Sequence, residues 1–263
     1  MSDQADVLVQ RRGAIATLVL HHPRRRNAMT VAMWDRLGVV ARELNDDSSV
    51  AVIILRGSGV DAFSAGADIS EFDEQRSTPE KALAYSHRVH HALEGLVNAS
   101  KPTIAMVSGY CVGGGCELAI AMDMRIVADG ATFGIPAARL GISIAFDDIK
   151  RLVDLVGPAY ASEILFTGRR LSAERALQIG LVNQVVAAED LERLTYEIAE
   201  EIAGSAPTSV AWSKRAIKLI LRDPGLTTAP DRDAQAAQAF GTDDFREGVR
   251  AFLEKRPPKF LGT

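Results

Sequence analysis

The run Gly113-Gly114-Gly115-Cys116-Glu117 carries the densest chemical signal in the chain. Glycines strip the backbone of Cβ atoms and let bare N–H groups come close to a ligand. At a helix start those groups have no intrahelical acceptor, and the helix dipole favours negative charge there. Glu117, one turn further on, is placed to accept or deliver a proton. The pattern suits a reaction that builds charge on an oxygen while a carboxylate moves a proton beside it. A second turn of small residues, Ala62-Phe63-Ser64-Ala65-Gly66-Ala67-Asp68-Ile69, follows an apolar strand, where α/β proteins place ligands. Alone it reads as an ordinary turn. Beside the first turn it becomes a candidate second donor to one oxyanion.

The elements that must position these turns are legible as an α/β alternation. Residues 14–20, 50–55, 103–108 and 125–128 read as strands, and 50–55 is a continuous apolar run of the kind buried on both faces. Thr30 is a candidate N-cap for a helix to about residue 45, with Met33, Leu37, Val40, Ala41 and Leu44 on one face. A further helix is expected over 79–98. From about residue 149 the pattern is mostly helical, punctuated by Pro158, Pro207, Pro224 and Pro230. One late strand is expected at 181–186, and amphipathic helices at 191–204, 209–221 and 233–240. Residues 255–260, with two adjacent prolines, cannot continue a helix.

The chain has 263 residues, 47% hydrophobic and 24% charged, enough for a sizeable core with the balance of an ordinary soluble protein. A net charge of −4 gives no reason to expect nucleic acid as a partner. No apolar run approaches the roughly 18 residues that a membrane span needs. Residues 1–6 lack the basic start and apolar middle of a secretory leader, so a cytoplasmic protein is expected. Cys111 and Cys116 fit neither a disulfide framework nor a metal pair, and read as small buried residues.

A family resemblance rests on these same segments. Ala65-Gly66-Ala67-Asp68, Ser108-Gly109-Tyr110 with the run ending Glu117-Leu118, and Pro23 followed by Asn27-Ala28 resemble signatures of the crotonase (enoyl-CoA hydratase/isomerase) superfamily. Phe133-Gly134-Ile135-Pro136, Leu140-Gly141, Phe166-Thr167-Gly168, Ala173 to Ala176 and Gly180-Leu181-Val182-Asn183 follow in the same order. The resemblance implies an α/β fold with a crotonase-like ββα spiral core over 1–200 and a C-terminal helical trimerisation layer over 201–263. It implies a homotrimer or a dimer of trimers acting on an acyl-CoA thioester, with CoA part of the substrate and no separate cofactor or metal. The N–H groups of Ala65 and Gly114 match the family's oxyanion hole, and Glu117 its principal acid/base. Ala62, Ala65, Gly66, Ala67, Asp68, Ile69 and Gly113, with Arg24 and Arg26, match positions that hold CoA or the acyl group; the basic run reads equally as a solvated loop. Lys259 and Phe260 resemble a C-terminal CoA contact.

The chain also departs from the pattern. Hydratases pair the first glutamate with a second just after the Phe-Gly-x-Pro segment, and here that slot is Ala137. Hydration activates water at Cβ and delivers a proton at Cα, work that two carboxylates share well. Isomerases commonly use a carboxylate in the same slot, so crotonyl-CoA is expected to be a poor substrate. Ala145-Phe146-Asp147-Asp148 replaces a glycine-rich turn. Phe146 is expected to narrow the pocket. Asp147 and Asp148 are expected to cap the next helix or, alternatively, to supply a second acid/base from another direction. C–C bond cleavage, decarboxylation or hydrolysis of a specialised acyl-CoA is one alternative reading; a non-catalytic acyl-CoA-binding protein is another. His87, His90 and His91 have helical spacing without the acidic partner of a metal motif. Arg139 reads as a solvated helix end, or as a selector of acidic acyl groups, and Tyr110 as packing.

Overall fold

The computed structural model describes residues 4–229 and 231–262; Pro230, Thr263 and residues 1–3 lie outside them. Strands β1 (Asp6–Arg12) and β2 (Ile15–His21) form a hairpin through Gly13, whose φ of +56° suits glycine. Helix α1 (Val31–Asp46) starts at Thr30, whose hydroxyl accepts the Met33 N–H at 3.2 Å, and buries the expected face.

The chain then repeats one unit. Strand β3 (Val52–Gly57) is followed by β4 (Ala62–Ser64), the short α2 (Phe72–Gln75) and the long α3 (Pro79–Val97). Strands β5 (Thr103–Val107) and β6 (Tyr110–Val112) precede α4 (Gly114–Ala121). Strands β7 (Met124–Ala128) and β8 (Thr132–Gly134) precede α5 (Phe146–Thr167), which bends at Gly157-Pro158. Each pass sends its first strand into one sheet and its second into another. After β9 (Leu171–Ser172), α6 (Ala173–Gln178) and β10 (Gln184–Val186), the sheets read β1-β2-β3-β5-β7-β10 and β4-β6-β8-β9. Strands β2 through β10 of the first sheet are parallel, as are β4, β6 and β8 of the second. The α/β spiral expected from the sequence is present.

Helix α7 (Leu191–Ala203) buries Leu191, Tyr196 and Ala199 against Ile15, Val52, Ile54, Ile104 and Ile126, on the sheet face away from α1 and α3. It runs across 200/201, the boundary expected between core and helical region. Helices α8 (Pro207–Arg222), α9 (Arg232–Ala237) and α10 (Asp243–Glu254) complete the chain. The late strand is shorter than its apolar run. Asn183 accepts the Arg125 N–H at 2.8 Å, and the Leu181 carbonyl accepts the Arg125 Nε–H at 2.7 Å, so Leu181 and Asn183 clamp a buried arginine ahead of the strand.

Candidate active site

Parallel pairing decides where the two small-residue turns meet. β4 and β6 are neighbours, with Ala62 opposite Tyr110 and Ser64 opposite Cys111, so the turns leaving their C-terminal ends emerge side by side. They fit only because side chains are missing. A Cβ on Gly66 would lie 2.8 Å from the Val112 carbonyl oxygen and 3.0 Å from the Gly114 nitrogen, and one on Gly115 2.4 Å from the Ser64 carbonyl oxygen. Gly66, at φ +91°, also takes a conformation that side chains resist. Helix α4 opens at Gly114, which places Glu117 in its first turn.

Counting backbone donors corrects one expected residue. The Ala65 N–H donates to the Arg26 carbonyl at 2.9 Å, and the Gly66 N–H to Ser64 Oγ at 3.1 Å. Met29 bridges to Ala67 by donating to the Gly66 carbonyl and accepting from the Asp68 N–H. That bridge leaves the Ala67 N–H on the opposite side, without an acceptor among the described residues. A Cβ on Gly114 would sit 3.6 Å from this nitrogen. Beside Gly114, then, the N–H without an acceptor among the described residues is that of Ala67, while that of Ala65, expected there, is taken by Arg26. In the sequence the two alanines flank Gly66 alike, and only the contact with Arg26 separates them.

Glu117 is partly exposed, and no hydrogen bond holds its carboxyl among the described residues. Burial, and secondarily the Asp148 charge, push its pKa up to about 7, against the opposing pull of Arg76 and Arg151. Asp148 is itself buried, its pKa raised by that burial although Arg151 lies 2.7 Å away and favours the charged form. Arg151 also meets Glu94 at 2.5 Å. Asp147 faces outward and pairs with His90 at 3.6 Å. Neither aspartate caps α5: the cap is Ala145, and both lie in the first turn. Ala137 sits half-buried on a 3-10 turn, Pro136–Leu140. Phe146 is 92% exposed, so it does not narrow a pocket; the first residue of α5 simply points away from the fold.

Around this centre the other candidates separate. Asn27, fully buried, receives the His22 N–H and Ser58 hydroxyl and donates to the Ala62 and Ser58 carbonyls, which locks the basic turn against the 62–68 turn. Arg24 and Arg26 are exposed there, and Arg26 stacks 4.6 Å above Tyr110. Asp68 is a bracing residue. Burial raises its pKa, but bonds from Ser70 and the charges of Arg25 and His22 together hold it below the usual value. Ala62 is buried and Ile69 exposed. The Lys259 N–H donates to Glu247 at 2.9 Å and Phe260 packs near Gly248, so both tail residues lie on α10. Arg139 donates twice to the Thr167 carbonyl, a helix end satisfied. Both cysteines are free and buried. No metal-ligating cluster exists among the described residues. Nothing in the sequence singles out Arg76, which stands there only as a charge after a short helix.

Two sheets wound by repeated β–β–α passes, with the 62–68 and 113–117 turns brought side by side, define the crotonase class of fold. The chain belongs to the enoyl-CoA hydratase/isomerase family, whose model matches residues 10–263. It is 36% identical to a short-chain-enoyl-CoA hydratase of Clostridium acetobutylicum over 95% of both chains. It is also 36% identical to a crotonyl-CoA hydratase of Syntrophomonas wolfei, over 97% of this chain and 98% of the other. The crystal structure of an enoyl-CoA hydratase/carnithine racemase from Magnetospirillum magneticum superimposes with a TM-score of 0.95 at 36% identity, covering 100% of this chain and 97% of that one. No helix among the described residues is long and apolar enough to cross a membrane.

Proposed function

We propose that the protein is an acyl-CoA lyase or isomerase in which the thioester oxygen sits between the Ala67 and Gly114 N–H groups and Glu117 moves the proton. The observation that carries this reading is the pairing, among the described residues, of two acceptor-free N–H groups with a carboxyl that no hydrogen bond restrains. Enolate charge develops on the thioester oxygen, and one preorganised donor there is typically worth about 3–4 kcal/mol. A carboxyl near pH 7 is populated in both forms at neutrality, so one residue can serve as base and then as acid. In hydration, Glu117 takes a proton from water as its oxygen bonds to Cβ. The enolate then collects that proton at Cα from the same carboxyl. Asp148, buried and coupled to Glu117, is the carboxylate that stands in for the one missing at Ala137. Arg24 and Arg26 form the basic face for CoA phosphates.

A non-catalytic binding protein would be expected to have Glu117 tied to backbone and Phe146 filling the acyl channel, and neither arrangement is found. The test is turnover of a panel of enoyl-, hydroxyacyl- and dicarboxyl-CoA thioesters. Glu117→Gln is expected to lower the best kcat by 10³-fold or more while leaving thioester affinity within a few-fold. Unchanged turnover overturns the mechanism. For assembly we assign the exposed apolar side chains of the C-terminal helices, Phe252 at 84% and Leu253 at 74% among them, to contact between copies in a homotrimer or dimer of trimers. A monomer mass by light scattering refutes that assignment.

A further inference from the structure

Two arginines reach Glu117 electrostatically, and they are satisfied very differently. Arg151 is neutralised by Asp148 and Glu94. Arg76, at the end of α2, forms no ion pair among the described residues, and its Nε is buried without a hydrogen-bond partner. Its guanidinium carbon lies 4.0 Å from the centre of the Tyr85 ring and 4.3 Å from that of Phe72. Tyr85 is itself fixed: it is buried, and its hydroxyl accepts the Trp34 indole N–H at 2.9 Å. The edge of Trp34 lies 3.2 Å from where a Cβ on Gly114 would sit. The cation is thus stacked on an aromatic wall that backs directly onto an oxyanion donor. Stacking orients a planar guanidinium, and although Tyr85 takes one side-chain hydrogen bond from it, the buried Nε–H is left for an anion.

We propose that Arg76 selects acyl-CoA thioesters whose acyl chain carries a carboxylate, holding that group against the Tyr85–Phe72 wall while the thioester oxygen lies at Ala67 and Gly114. The inference rests on the acyl-CoA reading of the same site and names its substrate class. A buried Nε–H without a partner is costly unless a bound ligand pairs it, and a carboxylate accepts two guanidinium N–H groups in parallel. The same charge disfavours acyl groups that carry a cation. Arg76 also lowers the pKa of Glu117 against the effect of burial, consistent with its place at this centre. Arg139, the arginine that the sequence offered for such a role, is engaged at a helix end instead.

Glutaryl-CoA and valeryl-CoA have acyl chains of equal length and differ by a terminal carboxylate against a methyl, so calorimetric titration of both isolates the contact. The wild type is expected to bind glutaryl-CoA at least 10-fold more tightly. Arg76→Met and Arg76→Gln are expected to abolish that preference with valeryl-CoA affinity within about 3-fold, which also reports a folded site. Arg76→Lys is expected to keep part of it. Equal affinities in the wild type, or a preference that survives in Arg76→Met, overturns the role of Arg76 while leaving the acyl-CoA reading standing. Failure of the wild type to bind either thioester overturns both.

Discussion

Replacing Glu117 with glutamine is expected to stabilise the protein at alkaline pH far more than at acid pH. Burial, then the Asp148 charge, hold the native carboxyl at about 7 against an ordinary value of 4.5. Between those values the unfolded chain has released this proton and the native chain has kept it. The native state therefore binds more protons, and stability falls as pH rises through the window. At about 1.4 kcal/mol per pH unit, the gap amounts to roughly 3 kcal/mol once the pH exceeds 7. At pH 5 the unfolded carboxyl is only just past its midpoint, and the cost is below about 1 kcal/mol. Urea unfolding of wild type and Glu117→Gln at pH 5 and pH 8 measures the difference directly. Contributions of glutamine that do not vary with pH cancel between the two conditions. The variant is expected to gain about 2–3 kcal/mol more at pH 8 than at pH 5. Equal differences at both pH values would refute the raised pKa, and with it the claim that one carboxyl serves as both acid and base at neutrality. The expected gain in stability alongside lost turnover is the signature of a site that tolerates an unfavourable charge for its chemistry.

Asp148→Asn removes a like charge and frees Arg151, so the Glu117 limb of the kcat/KM–pH profile should move to lower pH. It should stay above 4.5, because burial is the larger cause; an unmoved limb would disprove the coupling. Gly66→Ala drives a Cβ to within 2.8 Å of the Val112 carbonyl and 3.0 Å of the Gly114 nitrogen at a φ of +91°. Displacing one donor predicts a loss in kcat of about 10²–10³-fold, and a kcat within 3-fold of wild type would argue against the Ala67–Gly114 hole. Ala137→Glu restores a carboxylate to the vacant slot and should raise crotonyl-CoA hydration by about 10-fold or more, the low end of what a positioned acid or base contributes. No gain would show that this slot does not limit the reaction.

Much of this protein was legible as sequence because the relevant physics is local. Thr30 caps α1 through a bond three residues away, and the apolar run at 50–55 is the central strand β3. At the start of α4, Gly115 is needed because a Cβ there would strike the Ser64 carbonyl, and Gly113 because its φ of +55° is one that side chains resist. These features identify the family and the spiral. The resemblance pointed to the Ala65 N–H, and that group is taken by Arg26, 39 positions away in the chain. The pair Asp147 and Asp148 looked equivalent until the first turn of α5 aimed one at the buried centre and the other at His90. Phe146, expected inside, is outside for the same reason. Arg76 became interesting only when α3 laid Tyr85 beneath it. Residue types and short spacings determined that the 113–117 turn offers donors and a carboxyl. What that carboxyl faces is a sum of burial and charge contributed by helices far apart in the chain, and that sum exists only once they pack.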